Sequence, residues 1–194
     1  MILNNFKENG KLLVGVAGAV NAANVPSYLA YIRQNICRNI KVILTKNATK
    51  FLTQGAISSV TGDRAFLDDA GSKEFPAPHI SLTRWADAFI VLPASANIIS
   101  KAAHGIADDL LSTAILSSPH SVIFYPNVNV QMWEKKVMQK NIQILKEDHL
   151  ILYKTDKVLE VASGETELSI IPSCLPDLNT IRKDLYVALN NSGG

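Results

Sequence analysis

An α/β fold carried by a doubly wound parallel sheet is what this sequence predicts, and three observations predict it. Short apolar runs that read as buried strands alternate with helical patterns, an order that yields a parallel sheet with right-handed crossovers. Apolar residues make up 47% of the chain and charged residues only 19%, a balance suited to a sheet covered on both faces. The length, 194 residues, suits one domain with a full core.

Each element can be justified in order. Residues 11–17 (KLLVGVA) read as a first strand, Gly18 to Asn21 as a turn, and residues 22–36 as a helix with Pro26 in its first turns. Residues 40–45 (IKVILT) are a second strand, followed by a short helix near 48–52. Residues 55–81 hold Gly62, Gly71, Pro76 and Pro78 and read mostly as loop, with room for a short helical piece. A third strand, 88–92 (AFIVL), ends at Pro93, and 98–116 is a helix broken near Gly105. A fourth strand, 121–125 (SVIFY), ends at Pro126 and leads to a helix over 130–145 with an apolar face of Met132, Met138, Ile142 and Leu145. Residues 149–153 are a fifth strand, 158–171 two extended arms about a turn at 163–166, and 177–189 a closing helix before a frayed tail. The sum is a single-domain, doubly wound (Rossmann/flavodoxin-like) parallel sheet over residues 1–194.

The bulk properties exclude several roles. A net charge of +2, dispersed along the chain, argues against nucleic acid. No apolar run approaches the roughly 20 residues that span a bilayer. Lys7, Glu8 and Lys11 stand where a signal peptide would be apolar, so none is expected. Cys37 and Cys174 form neither a disulfide framework nor a metal pattern, and His79, His104, His120 and His149 show no zinc-like pairing, so a cytoplasmic protein without a metal is expected.

Four strand-to-helix corners remain, the place where open parallel sheets bind ligands. The first, Gly15 to Asn21, is a small-residue turn that turns backbone N–H groups toward an anion, but it lacks the third glycine of a dinucleotide fingerprint. Thr45, closing the second strand, offers a hydroxyl, although capping is the simpler role for it. In Pro93-Ala94-Ser95-Ala96-Asn97-Ile98, Ser95 and Asn97 can meet a ring while Ala94 and Ala96 allow close approach, with Asn97 also suited to cap the helix. Asp108 and Asp109 suit a cap for the second half of the broken helix. In Pro126-Asn127-Val128-Asn129-Val130-Gln131-Met132-Trp133, one asparagine should cap and the other amide is left to bind, a carboxylate being the best match at a helix start. Met132 and Trp133 by themselves read as core.

These two long corners resemble the PASANT and PxMNxxMW motifs of the homo-oligomeric flavin-containing cysteine decarboxylases. Lys101, Gly105-Ile106, Asp108, Leu110-Leu111 and His79 ahead of Ala86-Asp87 also fit that pattern, so the likeness runs from about residue 11 to about residue 171. Ile98 stands where the family has threonine, and Val128 where it has methionine. One branch of the family, phosphopantothenoylcysteine decarboxylase, carries a reducing cysteine in a glycine-rich segment ending near Gly-Arg-Met. Here the corresponding residues 161–168 (VASGETEL) have no cysteine, and Cys174 lies beyond them. The chain is more similar to the other branch, the epidermin and mersacidin decarboxylases, which oxidatively decarboxylate the C-terminal cysteine of a lantibiotic precursor peptide.

The resemblance implies a chemistry and a set of roles. Oxidising the cysteine Cβ to a thioaldehyde, with a flavin (FAD or FMN) taking the electrons, creates the sink that lets CO₂ leave and an enethiol remain. His79 is then the base or proton carrier for the thiol, and Asn129 holds the carboxylate. Gly18, Asn21, Thr45, Ser95, Ala96 and Asn97 hold the flavin. Met132, Ser163 and Gly164 face the peptide, the arms about 163–169 clamping it as an added strand. Homotrimers assembled into dodecamers are implied as well. The alternatives are phosphopantothenoylcysteine decarboxylation and a flavin-binding regulatory protein without catalysis.

Overall fold

The computed structural model describes residues 2–67, 77–148, 151–152 and 178–191. Its elements are α1 (Ile2–Asn9), β1 (Lys11–Val16), α2 (Val25–Asn35), β2 (Asn39–Leu44), α3 (Gln54–Thr61), α4 (Pro78–Trp85), β3 (Ala88–Ala94) and α5 (Ala96–Ala103). They continue with α6 (Leu110–Leu116), β4 (Val122–Pro126), α7 (Val130–Trp133), α8 (Lys136–Glu147), β5 (Ile151–Leu152) and α9 (Leu178–Asn191). The strands form one parallel sheet in the order β2-β1-β3-β4-β5. This is the flavodoxin-like order, in which the direction of winding switches between β1 and β3.

Alternation along each strand builds a core on either face. Leu12, Val14 and Val16 of β1, Val42 of β2, Ile90 of β3 and Ile123 of β4 enter one core, with Leu29 and Ile32 of α2 and Ile181 and Leu185 of α9. Leu13, Phe89, Val91, Val122 and Phe124 enter the other, with Leu82 of α4, Ile98 and Ile99 of α5, Leu111 of α6 and Ile142 and Leu145 of α8. The buried Tyr125 donates its hydroxyl to Asp184 at 3.0 Å and so ties α9 to β4. A register shift between Val91 and Ala94 breaks the β3–β4 ladder just before the corner, and the Leu92–Pro93 peptide is cis.

Several expectations change. α1 has no counterpart in the sequence reading; its Phe6 is 4% exposed and supplies the reason it docks. The stretch expected to be mostly loop with a short helical piece, 55–81, holds nearly all of α3 and the first turn of α4. Thr53 caps α3 through its hydroxyl, Gly62 ends it in the left-handed region (φ 76°), and Pro78 opens α4. The helix expected over 130–145 is two helices, because the backbone is extended at Lys135. Met132 therefore leaves the apolar face predicted for it and is 47% exposed, while Met138, Ile142 and Leu145 are buried as expected. The arms at 158–171, Ser163 and Gly164 among them, lie outside the described residues.

Candidate functional site

All four corners lie along one edge of the sheet, and backbone hydrogen bonds beyond the ladders join them. Thr45 N donates to Val16 O at 3.1 Å, Ala17 N to Pro93 O at 3.1 Å, and Asn127 N to Ala94 O at 2.8 Å. Each bond fixes one corner against its neighbour, so segments far apart in sequence form a continuous rim.

At the first corner the helix starts later than expected. A 3-10 turn, Val20–Asn24, precedes α2 and buries Asn21 to 3% exposure. Gly18 is required by close approach: a Cβ there would overlap Asn47 Cβ and come within 2.7 Å of the Asn47 carbonyl carbon. Backbone cannot yield as a side-chain tip can. Gly18→Ala is expected to lower stability by about 1–3 kcal/mol in urea unfolding. Gly15→Ala, whose Cβ meets only the end of the Leu111 side chain, should cost less. Equal losses would show that the corner gives way freely.

Thr45 braces the turn that follows the second strand. Its hydroxyl donates to Val16 O at 3.4 Å and accepts from Ala48 N at 3.3 Å, closing the turn Ala48–Lys50.

The third corner corrects the sequence reading. Ser95, not Asn97, is the cap of α5: its backbone is extended and its hydroxyl accepts from Ile98 N at 3.4 Å. Asn97 lies inside the first turn, two residues past the cap, and is exposed. Its amide is thereby released from capping, and it stands beside the half-buried Ser95 and Ala96 above the fully buried end of β3.

At the fourth corner Asn129 caps α7, its Oδ1 accepting from Met132 N at 2.8 Å. An amide that caps through its oxygen turns its NH₂ outward. Among the described residues that NH₂ has no partner, so Asn129 presents two donors suited to a carboxylate. The dipole predicted to assist adds little, because α7 is only four residues long. Asn127 is held by its backbone, and Val128 is 4% exposed.

His79 is a helix residue rather than a loop residue. It sits half-buried in the first turn of α4, behind Pro78, and its carbonyl accepts from the Thr83 hydroxyl at 2.8 Å. α4 packs against β1 and α6 and ends where Asp87 N meets Lys11 O, at the start of the strands. Running back from there, its first turn points toward the rim of corners.

A charged latch joins α5 to α6. Lys101 Nζ bridges Asp108 Oδ1 and Asp109 Oδ2, each at 2.5 Å, while Asp109 caps α6 through Ser112. Burial pushes the Asp109 carboxyl up, but the Lys101 hydrogen bond and those of Ser112 outweigh it and hold it below the ordinary value. Burial likewise works against the Lys101 charge, and the two aspartates outweigh it, raising the ammonium pKa. Asp109's contribution to stability is complete above 3.8 and is lost as pH falls through its lowered folded value. Lys101's is complete below 10.5 and is lost as pH rises through its raised folded value. Lys101→Met is expected to flatten the acid limb of a urea-midpoint profile; a limb as steep as that of the wild type would remove Lys101 from this role.

The small residues of the first and third corners, at the switch point, leave a rim that a flat ring can approach closely. The sequence profile of the flavoprotein family matches residues 2–174. The chain belongs to the flavoprotein family. Its cofactor is accordingly a flavin nucleotide, and the open corners with the exposed Asn97 amide fit such a group. This flavoprotein is 33% identical over 156 residues to the mersacidin decarboxylase of Bacillus sp. (strain HIL-Y85/54728), covering 79% of each chain. It resembles the structure of SpaF, described as an FMN-dependent cysteine decarboxylase, with a TM-score of 0.78 and 31% identity over 96% of this chain and 98% of that one. EpiD in complex with the substrate peptide DSYTC gives a TM-score of 0.77 and 27% identity over 91% and 98% of the two chains. The chain is also 32% identical over 149 residues to the coenzyme A biosynthesis bifunctional protein CoaBC of Escherichia coli (strain K12), covering 75% of itself but only 36% of that protein. Among the described residues no group of side chains is arranged to hold a metal, and no helix is long and apolar enough to cross a membrane.

Proposed function

We propose that this flavoprotein oxidatively decarboxylates the C-terminal cysteine of a lantibiotic precursor peptide, releasing CO₂ and leaving an aminoenethiol. The observation that carries the reading is the fixed pairing of two corners. Asn127 N bonds Ala94 O, so the outward amide of Asn129 stands next to the corner of Ser95, Ala96 and Asn97. The likeness to the mersacidin decarboxylase and to EpiD with its cysteine-ending peptide supports this substrate class. SpaF's description supports FMN over FAD.

A cysteine carboxylate has no sink for the electrons left behind when CO₂ departs. A flavin held by Ser95, Ala96 and Asn97 would supply a two-electron acceptor, and a cysteine side chain at the thioaldehyde level is the sink that lets CO₂ leave and an enethiolate remain. The protein's own groups hold and orient. Asn129 pairs its NH₂ with the carboxylate and keeps it facing the flavin corner. His79 takes the thiol proton, as an imidazole can near neutral pH. Met132, exposed one turn beyond Asn129, gives the peptide an apolar contact. Gly18, Asn21 and Thr45 shape the phosphate end of the flavin site.

Incubation with a cysteine-ending peptide is expected to remove about 46 Da, CO₂ plus two hydrogens. A loss of about 44 Da, CO₂ alone, would overturn the oxidative product. The similarity to CoaBC supports a second reading, decarboxylation of phosphopantothenoylcysteine. Preferential turnover of that substrate over the peptide would establish it in place of the first.

A further inference from the structure

One buried polar contact lies outside the roles above. Asn141 of α8 is 3% exposed and donates its Nδ2 to the Ser100 hydroxyl of α5 at 3.0 Å. The two helices pack closely. Both helices contribute to one buried apolar cluster that includes Ile98, Ile99, Val128, Met138, Ile142 and Leu145.

An amide in such a place costs free energy unless it is bonded, so it penalises any arrangement that removes its partner. The apolar seam of α8 gives no such penalty. Met138, Ile142 and Leu145 repeat at helical spacing, so a shift of one turn, about 5.4 Å, would bury apolar surface against α5 again. A single buried asparagine can set register between helices where an apolar seam does not.

The register matters because each helix is joined to one of the two corners. α5 begins at the Ser95 cap. α8 carries α7 and its Asn129 cap on a two-residue link, clamped where Gln139 Nε2 donates to Trp133 O at 2.6 Å. On the strand side the corners are fixed by Asn127 N to Ala94 O. On the helix side the only polar tie between α5 and α8 among the described residues is Asn141 to Ser100.

We infer that Asn141, through Ser100, is a positioning residue that keys α8 onto α5 and so sets the place of Asn129 relative to the flavin corner. Its consequence for turnover rests on the proposed decarboxylase reading; the register itself does not.

The test is the pair Ser100→Ala/Asn141→Leu, which removes both polar partners and leaves none stranded, so the protein is expected to fold. Two readouts are taken. Spin labels at His104→Cys and Gln143→Cys, both exposed positions, are placed in a Cys174→Ser background. The Cys37 thiol is buried and pushed up to about 11, so it stays protonated and unlabelled. The native pair should give one distance, and the double variant a second population shifted by about one helical turn, roughly 5 Å. Kinetics with a cysteine-ending peptide should show kcat/KM reduced about tenfold to a hundredfold, chiefly through KM. Flavin affinity should stay within about threefold, since α5 keeps its own cap. A single native distance together with native kcat/KM would overturn the inference. If the wild-type protein is inert toward such peptides, the proposed function fails, and the distance measurement still decides the register.

Discussion

His79→Asn is expected to leave the flavin bound and to reduce turnover of a cysteine-ending peptide by about two to four orders of magnitude, the usual worth of a positioned acid–base group. The substitution keeps size and hydrogen-bonding capacity but removes the imidazole proposed to take the thiol proton. His79 bonds to the fold through its carbonyl, which accepts from Thr83, so the α4 backbone contact survives the change of side chain. The yellow colour and the melting temperature should therefore hold while the 46 Da loss stops. Full activity in this variant would take His79 out of the proton pathway, whatever the substrate.

Asn129→Asp separates the cap that Asn129 provides from the carboxylate binding proposed for it. Aspartate caps a helix as well as asparagine, so the bond from Met132 N survives and stability should change by less than about 0.5 kcal/mol. What changes is the outward face, where two donors become a negatively charged oxygen against the substrate carboxylate. Loss of a hydrogen bond to a charged group is worth about 1.5–3 kcal/mol, and like-charge repulsion adds to it, so kcat/KM should fall at least about tenfold to a hundredfold. Asn129→Ala should weaken both properties, costing about 1 kcal/mol of stability for the lost cap. Native kcat/KM in the aspartate variant would mean that the carboxylate is held elsewhere, with the neighbouring Asn127 the next residue to replace.

The strands were legible because a strand buried on both faces announces itself as a short apolar run, and all five lie where such runs occur. The corners were legible for the same reason, since each begins where a run stops at proline or a small residue. Local competition was less legible. Ser95 and Asn97 are both good caps two residues apart, and the choice between them depended on which residue the β3 strand leaves in an extended backbone. The two asparagines at 127 and 129 were read as one cap and one free amide. The structure makes Asn129 the cap and yet leaves its donors outward, so the capping oxygen and the unused donors are opposite ends of one amide. Helix α1 was missed because a single buried aromatic, Phe6, is a weak signal in an otherwise polar stretch.

By itself the sequence determined the strands, the burial of the sheet and the residue types at each corner, because these follow from patterns only a few positions long. The tertiary structure alone decided which corners touch. The strand order β2-β1-β3-β4-β5 brings Ala17 to Pro93 and Ala94 to Asn127, presses Gly18 against Asn47, and seats Asn141 on Ser100. Such contacts join segments remote along the chain, and they arise only when parallel strands and their covering helices close into one packed body. A pattern within any one segment carries no term for that closure.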